Sequence, residues 1–493
     1  MLFNKLHIRG GVHADERKEQ STDKPIKKLG IPPLLSIPLS QHSGLAARPV
    51  VQEGQYVKKG ELIGSRSGDR SANIHAPTSG YIAGVGQIQA PHPSMLSYDA
   101  IHLEPDGLDL NFEQTLKVDP VELSANEIAD LVDSAGIVGL GGAVYPAALK
   151  LKAGAKQAVN TLILNGSECE PYLTCDDMLM RDRATEIVSG ALLIKKAIGA
   201  EKIVAGIEDN KPEAIQAMEA AAAKYEDVEI RVIPTRYPMG SAKQLIKVIT
   251  GKEVPSGGRS SDVGVLVHNV ATTYAVHQAL YEQIPLISRV VTVSGHCIQS
   301  PQNVEVLLGS PVQWVIDQLG GFVSTPNRLL MGGPMMGQVL PNTGVPITKG
   351  ASGILALTDE EVNPDEVSPC IRCGSCMKAC PMGLVPLEMA RTARADQYEE
   401  SKEYGLSDCI LCGSCAYVCP SHIPLVQYFQ FAKGKLKESQ VQESKGEYTK
   451  SLSEQKLARM EREAAAKAAA KAAKAAKAKA KRKPVKKAVE EVS

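Results

Sequence analysis

Cys370-Ile371-Arg372-Cys373-Gly374-Ser375-Cys376-Met377-Lys378-Ala379-Cys380-Pro381 and Cys409-Ile410-Leu411-Cys412-Gly413-Ser414-Cys415-Ala416-Tyr417-Val418-Cys419-Pro420 are two copies of one pattern, C-x2-C-x2-C-x3-C-P. The spacing is that of ligands to four-iron clusters: a tight loop brings three thiolates to one cubane face, and the fourth cysteine, carried away on the next turn, reaches the neighbouring cluster. It therefore assigns Cys370, Cys373, Cys376 and Cys419 to one [4Fe-4S] cluster, and Cys409, Cys412, Cys415 and Cys380 to the other. Zinc is the alternative, but it commonly takes paired C-x2-C units across a wide gap and calls for neither the third cysteine nor the terminal Cys-Pro. Gly374 and Gly413 hold equivalent places in the loops, where a missing Cβ lets backbone amides approach cluster sulfurs. Two such clusters move single electrons, so a donor and an acceptor must be sought elsewhere.

Between the repeats, Leu387 to Lys402 is rich in helix formers, which predicts a helical cluster module. After it, Glu454 onward is Ala/Lys-rich with no apolar face to bury, so it should form a frayed, solvated helical extension. From Lys456 to Lys487 there are 13 Lys/Arg against Glu461 and Glu463, a surplus of eleven, so with zero net charge the remainder sums to −11. A mildly acidic body with a basic tail is not the footprint of a nucleic-acid reader. The tail is either a solvated helix or a segment attracted to the anionic inner leaflet of a membrane.

Towards the N-terminus the chain becomes α/β. Apolar runs such as Thr161-Leu162-Ile163-Leu164 and Lys202-Ile203-Val204-Ala205-Gly206 alternate with helical stretches such as Lys211 to Lys224. Gly136-Ile137-Val138-Gly139-Leu140-Gly141-Gly142-Ala143-Val144-Tyr145-Pro146-Ala147-Ala148-Leu149-Lys150 is a glycine-rich loop running into a helix that carries a lysine. Glycine-exposed amides at a helix N-terminus cradle phosphate, and Lys150 adds charge. A tight turn without ligand is the bland alternative, since the loop matches neither G-x-G-x-x-G nor a G-K-[ST] ending. Leu164-Asn165-Gly166-Ser167-Glu168-Cys169-Glu170-Pro171 then delivers an amide and two carboxylates from a strand end. Asn165 could hydrogen-bond a ring edge, and Glu168 or Glu170 a ribose or a nicotinamide amide; a capped turn is again the alternative. Cys169, Cys175 and Cys297 lack further ligands nearby and read as small buried thiols.

Val290-Val291-Thr292-Val293 and the helix-like Val312 to Leu319 suggest a small α+β unit like the ligand-binding β-grasp insertion found beside flavin domains. At the other end, Val50 to Ile63 alternates short β-type runs with Gly54 and Gly60, and Ala76-Pro77-Thr78-Ser79-Gly80-Tyr81-Ile82 follows. That pattern resembles the flattened barrel of biotinyl and lipoyl carrier domains, without the cofactor-bearing lysine in the turn around Asp69-Arg70-Ser71-Ala72.

Three segments together resemble a family. Gly139 to Lys150 is similar, without a gap, to the G-R-G-G-A-G-F-P-T-G-x-K loop of the flavin-bearing, NADH-oxidising subunit of respiratory complex I. Asn165 to Pro171 is similar to its N-x-D-E-x-E-P, and Tyr237-Pro238-Met239-Gly240 with His268-Asn269-Val270-Ala271-Thr272 to its Y-x-x-G and N-N-V-x-T. A narrower resemblance is to the C subunit of Rnf-type ion-translocating electron transport complexes. Gly10-Gly11-Val12-His13, Glu170-Pro171-Tyr172 with Thr174-Cys175-Asp176-Asp177, Pro255-Ser256-Gly257-Gly258 and the double cysteine motif carry it, over most of residues 1 to 430.

The resemblance implies FMN held non-covalently by Gly139, Gly141, Gly142, Lys150, Asn165, Gly240, Asn269 and Thr272, with NAD(H) near Glu168 and Glu170. It implies membrane subunits of the same complex, NADH and ferredoxin as partners, and a peripheral place on the cytoplasmic side of the inner membrane. Against complex I, Leu140 replaces an arginine, Ser167 an aspartate and Ser241-Ala242 two glutamates, so flavin potential and dinucleotide affinity can differ. A relay and docking subunit without flavin stays open, as does the flavoprotein of a soluble hydrogenase or formate dehydrogenase.

The composition fits. A chain of 493 residues predicts three or four domains, and 43% hydrophobic with 22% charged residues is ordinary soluble usage. No run approaches the roughly 18 apolar residues of a spanning helix, and Met1 to Gly30 lacks the apolar core of a secretory signal. The expected fold is multidomain, α/β and α+β. It comprises an N-terminal barrel-sandwich β domain (1–120), a Rossmann-like FMN/NADH domain (121–285), a β-grasp domain (286–355), an α-helical dicluster ferredoxin domain (356–435) and a basic helical tail (436–493).

Overall fold

The computed structural model describes residues 8–91, 96–113, 118–362 and 366–481. The apolar runs between Ala125 and His277 build a four-stranded parallel sheet in the spatial order Val228–Ile233, Lys202–Glu208, Thr161–Gly166, Val265–Asn269. Successive side chains of a strand point to opposite faces, and here both faces are covered, which is why these runs read as continuously apolar. Leu162, Leu164, Ile203 and Leu266 join the core formed with the helices Ala184–Ile198 and Val270–His277. Ile163, Val204, Val265 and Val267 pack instead on the helix Ala242–Thr250.

A second, six-stranded sheet is mixed. Ser288–Ser294 pairs antiparallel with Gln302–Leu307 and parallel with Gly353–Leu357, which pairs antiparallel with Arg328–Met331. Its buried face, including Val291, Val293, Ile354 and Ala356, belongs to the same hydrophobic core as the parallel sheet's helices. The two units are thus fused through one core. The barrel consists of a four-stranded sheet (Leu35–Pro38, Ser97–Pro105, Gly80–Gln89, Tyr56–Val57) facing a three-stranded one (Arg48–Pro49, Leu62–Ser65, Ile74–His75) over its own core of Leu35, Ile37, Val57, Ile63, Ile74, Ile82, Ile101 and Leu103. Its turn around Arg70 docks on the glycine loop: Arg70 lies 5.3 Å from the Tyr145 ring centre, and Ser43 N donates to Val144 O at 3.0 Å.

The segment that precedes the barrel strands packs outside the barrel core. Before Leu35 the described chain runs over its neighbours: Val12 bridges Tyr237, Lys18 is buried in the loop after Thr161–Gly166, and Lys27–Lys28 adds an edge strand beside Val304 and Glu305. The stretch is polar and lacks the apolar alternation of a barrel strand, so its partners are backbone groups that no periodicity reveals.

Described residues beyond 366 form only helices, among them Pro386–Arg394 and Tyr398–Glu403 where the connector stands. The last, Leu425–Ala480, is one uninterrupted helix of 56 residues, about 84 Å long at 1.5 Å per residue. Leu425, Phe429, Ala432 and Leu436 bury one stripe against the cluster module, and beyond them the helix is exposed. The composition predicts a frayed tail; instead the anchored first turns continue without a break across the 435/436 boundary, the Ala/Lys composition supplying propensity alone. Residues 482–493 lie outside the described residues.

Candidate redox site

Asn165 and Asn269 end adjacent parallel strands in register, so the topology itself sets them side by side. The glycine loop closes over them. Gly139 N donates to Tyr145 O at 2.8 Å and Val144 N to Gly139 O at 3.1 Å, which leaves Gly141, Gly142 and Ala143 exposed. Leu140 N donates to Thr272 Oγ1 at 2.9 Å, tying the loop to the helix Val270–His277. A Cβ on Gly141 would stand 3.2 Å from Asn269 Cβ. Asn165 Nδ2 donates to Gly240 O at 2.8 Å, and Gly240 N to Cys169 Sγ at 3.2 Å. Gly139, Gly141, Gly142, Asn165, Gly240, Asn269 and Thr272 thus converge at the carboxyl end of the sheet, where doubly wound folds place ligands. The exposed glycine backbone facing two amide side chains is a donor set that fits a phosphorylated ring ligand such as FMN.

Lys150 stands apart from this group. Its Nζ donates to the Val267 carbonyl, and burial lowers its pKa to about 8. It is held by a strand carbonyl rather than by the glycine loop, because burial in the helix Ala147–Ala155 demands a nearby acceptor.

Glu168 and Glu170 both meet backbone amides. Glu168, at φ +48°, turns its carboxylate onto the amides of Asp176 (2.7 Å) and Asp177 (3.0 Å), at the start of the helix Cys175–Asp182. An acidic group there meets the positive end of the helix dipole. Glu170 accepts from Met335 N at 2.9 Å, and burial raises its pKa to about 7. Both carboxylates already have backbone partners and act as loop braces. The loop they brace has a partner no sequence pattern announced: Lys18 Nζ donates to the carbonyls of Glu168 (2.8 Å), Glu170 (3.1 Å) and Leu173 (2.5 Å).

The cysteines sort into two cavities. Cys380, Cys409, Cys412 and Cys415 line one, walled by Met389, Leu411 and Phe429. Cys370, Cys373, Cys376 and Cys419 line the other, of about 440 Å³, with Arg372 and Arg391 at its margin. Each set takes three cysteines from one run and the last from the other. Burial, and then the neighbouring thiols, push the Cys415 thiol up, while Cys409 rises to about 11. Four crowded thiolates need a cationic centre among them, which is the chemistry of an iron cluster. Gly374 and Gly413 adopt φ +76° and +80°. The left-handed turn at both positions favours glycine. Cys169 and the fully buried Cys175 and Cys297 are free thiols outside both sets.

The two regions touch. Tyr237 Oη donates to Cys412 O at 2.5 Å, and Tyr237, Val12, Ala379 and Cys412 form one buried cluster that Cys169 and Met335 flank. Ser256 Oγ donates to Asp408 Oδ2 at 2.6 Å, and Gln244 Nε2 to Pro381 O at 3.2 Å. The Cys412 set therefore faces the glycine-loop domain. Cys370 and Cys373 of the other set are exposed.

Four family models match the chain in succession: the RnfC barrel sandwich hybrid domain over residues 6–108, the Nuo51 FMN-binding domain over 132–278, the SLBB domain over 290–339 and the 4Fe-4S dicluster domain over 369–423. The C subunit of the ion-translocating oxidoreductase complex of Rhodobacter capsulatus is 50% identical over 444 residues, 89% of this chain and 85% of that one. Its namesake in Haemophilus influenzae strain 86-028NP is 46% identical over 457 residues, 92% and 69% of the two chains. The C subunit of the proton-translocating ferredoxin:NAD(+) oxidoreductase complex of Clostridium ljungdahlii is 46% identical over 430 residues, 86% and 93%.

Proposed function

The chain belongs to the family of C subunits of ion-translocating oxidoreductase complexes, and on that premise we propose that it passes electrons between NADH and its complex through FMN and two [4Fe-4S] clusters. The observation that carries this reading is the contact between the glycine-loop domain and the Cys412 set through Tyr237. FMN exchanges a hydride with NADH and electrons singly with a one-electron carrier, and cysteine-held clusters are such carriers.

The chain's own residues supply position. Gly139, Gly141, Gly142, Asn165, Gly240, Asn269 and Thr272 hold the flavin, with Lys150 in the helix behind the loop. Glu168, Glu170 and Lys18 fix the loop that walls the dinucleotide's approach. Cys380, Cys409, Cys412 and Cys415 hold the inner cluster, beside the flavin domain. Cys370, Cys373, Cys376 and Cys419 hold the outer one, and the exposure of Cys370 and Cys373 opens it to a membrane subunit or a ferredoxin.

Flavin binding is tested by titrating FMN into the flavin-free chain and following fluorescence quenching. The parent chain saturates near one equivalent. Gly141→Val, which fills the gap before Asn269, weakens binding by at least about tenfold, or about 1.4 kcal/mol. No saturable quenching in the parent would favour the relay and docking subunit without flavin.

Among the described residues no helix is long and apolar enough to cross a membrane. We assign the chain to the cytoplasmic face of the inner membrane as a peripheral subunit, held by membrane subunits and by its basic tail. Each basic residue near an anionic leaflet contributes about 1 kcal/mol, screened by salt. Deleting residues 456–487 should move part of the protein from the membrane to the soluble fraction at low salt; an unchanged distribution would leave the tail without this role.

A further inference from the structure

Gly10-Gly11-Val12 belongs to neither cofactor site, yet it lies between them. Gly11 N donates to Ala379 O at 2.8 Å, while Val12 N donates to Tyr237 O at 2.8 Å and Tyr237 N returns the bond to Val12 O at 3.0 Å. On one side of the segment is the turn that carries Cys380; on the other is the loop that runs through Tyr237 to Gly240. The approach is closer than any side chain allows. Gly10 has φ +61°, and its Cβ would stand 2.6 Å from the Cys380 carbonyl oxygen and 2.8 Å from that of Ala379. Gly11 has φ +75°, and its Cβ would stand 2.6 Å from the Tyr237 carbonyl oxygen. An L-residue in this conformation costs about 1–2 kcal/mol even in open space, and here backbone atoms block it as well.

We propose that Gly10 and Gly11 are positioning residues, a backbone clamp that seats the Cys380 turn of the inner cluster against the flavin loop and so sets the gap that electrons cross. Neither residue touches a reacting atom. They act through Ala379–Cys380 and Tyr237, and the hydroxyl of Tyr237 on the Cys412 carbonyl closes the clamp from the far side. The inference rests on the function proposed above.

The test uses the full chain, loaded with iron and flavin under anaerobic conditions, as the parent and as Gly10→Ala, Gly11→Ala and Gly30→Ala. The last is a control, because its Cβ meets nothing within 4 Å. Hydrogen exchange of the segments 8–13 and 376–384 should rise about tenfold or more in the first two variants, the effect expected from the left-handed penalty. On mixing with NADH, the flavin should bleach at the parent rate while cluster bleaching lags several-fold behind it. Gly30→Ala should match the parent in both. A merely structural role would lower iron or flavin content without splitting the two rates. Parent-like exchange with clusters bleaching at the parent rate would overturn the clamp. Should the glycine variants fail to accumulate, Tyr237→Phe removes only the hydroxyl on Cys412; it should slow cluster bleaching alone, and parent-rate bleaching there would overturn the clamp too. If the parent chain shows no flavin response to NADH, the proposed function has failed, and the exchange comparison still decides the clamp.

Discussion

Cys380→Ser should lower the iron of the anaerobically purified chain from about eight to about four, and the iron lost should be that of the other run's cysteines. Cys380 follows Cys370, Cys373 and Cys376 in the chain, yet the fold places it in the cavity of Cys409, Cys412 and Cys415. The helix Ser375–Ala379 carries it one turn beyond its own loop, and the turn after it directs it inward, where it is buried. A serine oxygen is a poor substitute for a thiolate on iron. Alkylation before unfolding reads the pairing directly: Cys409, Cys412 and Cys415 should become reactive, while Cys370, Cys373, Cys376 and Cys419 remain protected. The reverse pattern would mean that each run holds its own cluster.

Lys211→Met should destabilise the chain by about 3–5 kcal/mol. Lys211 and Glu208 are both fully buried and 3.0 Å apart, at the carboxyl end of the strand Lys202–Glu208. Burial works against the Lys211 ammonium, but the fields of Glu208 and Glu168 outweigh it and raise its pKa, whereas burial lifts that of Glu208 to about 7. Removing the lysine strands Glu208, whose Oε1 already has no partner. Replacing both, as Glu208→Gln with Lys211→Met, should recover most of the loss, because no buried charge is left uncompensated. Urea unfolding of the two variants measures the difference; a single-variant loss below about 1 kcal/mol would show that water reaches the pair. The pair is coupled by charge to Glu168 and Lys18, which brace the loop after Thr161–Gly166, so its loss should also loosen the flavin site.

What the sequence revealed follows from how local each signal is. The cluster ligands are legible because one loop supplies three of them and the spacing alone implies the crossing of the fourth. The parallel strands are legible as apolar runs, and the glycine loop as a glycine-rich turn running into the helix Ala147–Ala155. The backbone partners of the two carboxylates are not legible, since residue type cannot say that Glu168 meets the amides of Asp176 and Asp177; tertiary placement of the helix Cys175–Asp182 brings them there. Lys18, through its ammonium on backbone carbonyls, and Gly10–Val12, through their own backbone, act on partners more than a hundred residues away. The motif Gly10-Gly11-Val12-His13 is visible, but nothing in it names Cys380 or Tyr237. The long helix is half legible: composition supplies its propensity, and only the stripe Leu425, Phe429, Ala432 and Leu436 explains where it is anchored.

The proposed path takes electrons from NADH across the flavin domain to the cysteine-held clusters within this one chain. The most direct test is to purify the chain anaerobically, measure acid-released flavin and iron, and add NADH while recording the visible spectrum. Near-stoichiometric FMN, about eight irons and bleaching of the flavin followed by the cluster absorbance is the predicted result. Eight irons with no flavin, none rebound on reconstitution and no response to NADH would contradict it.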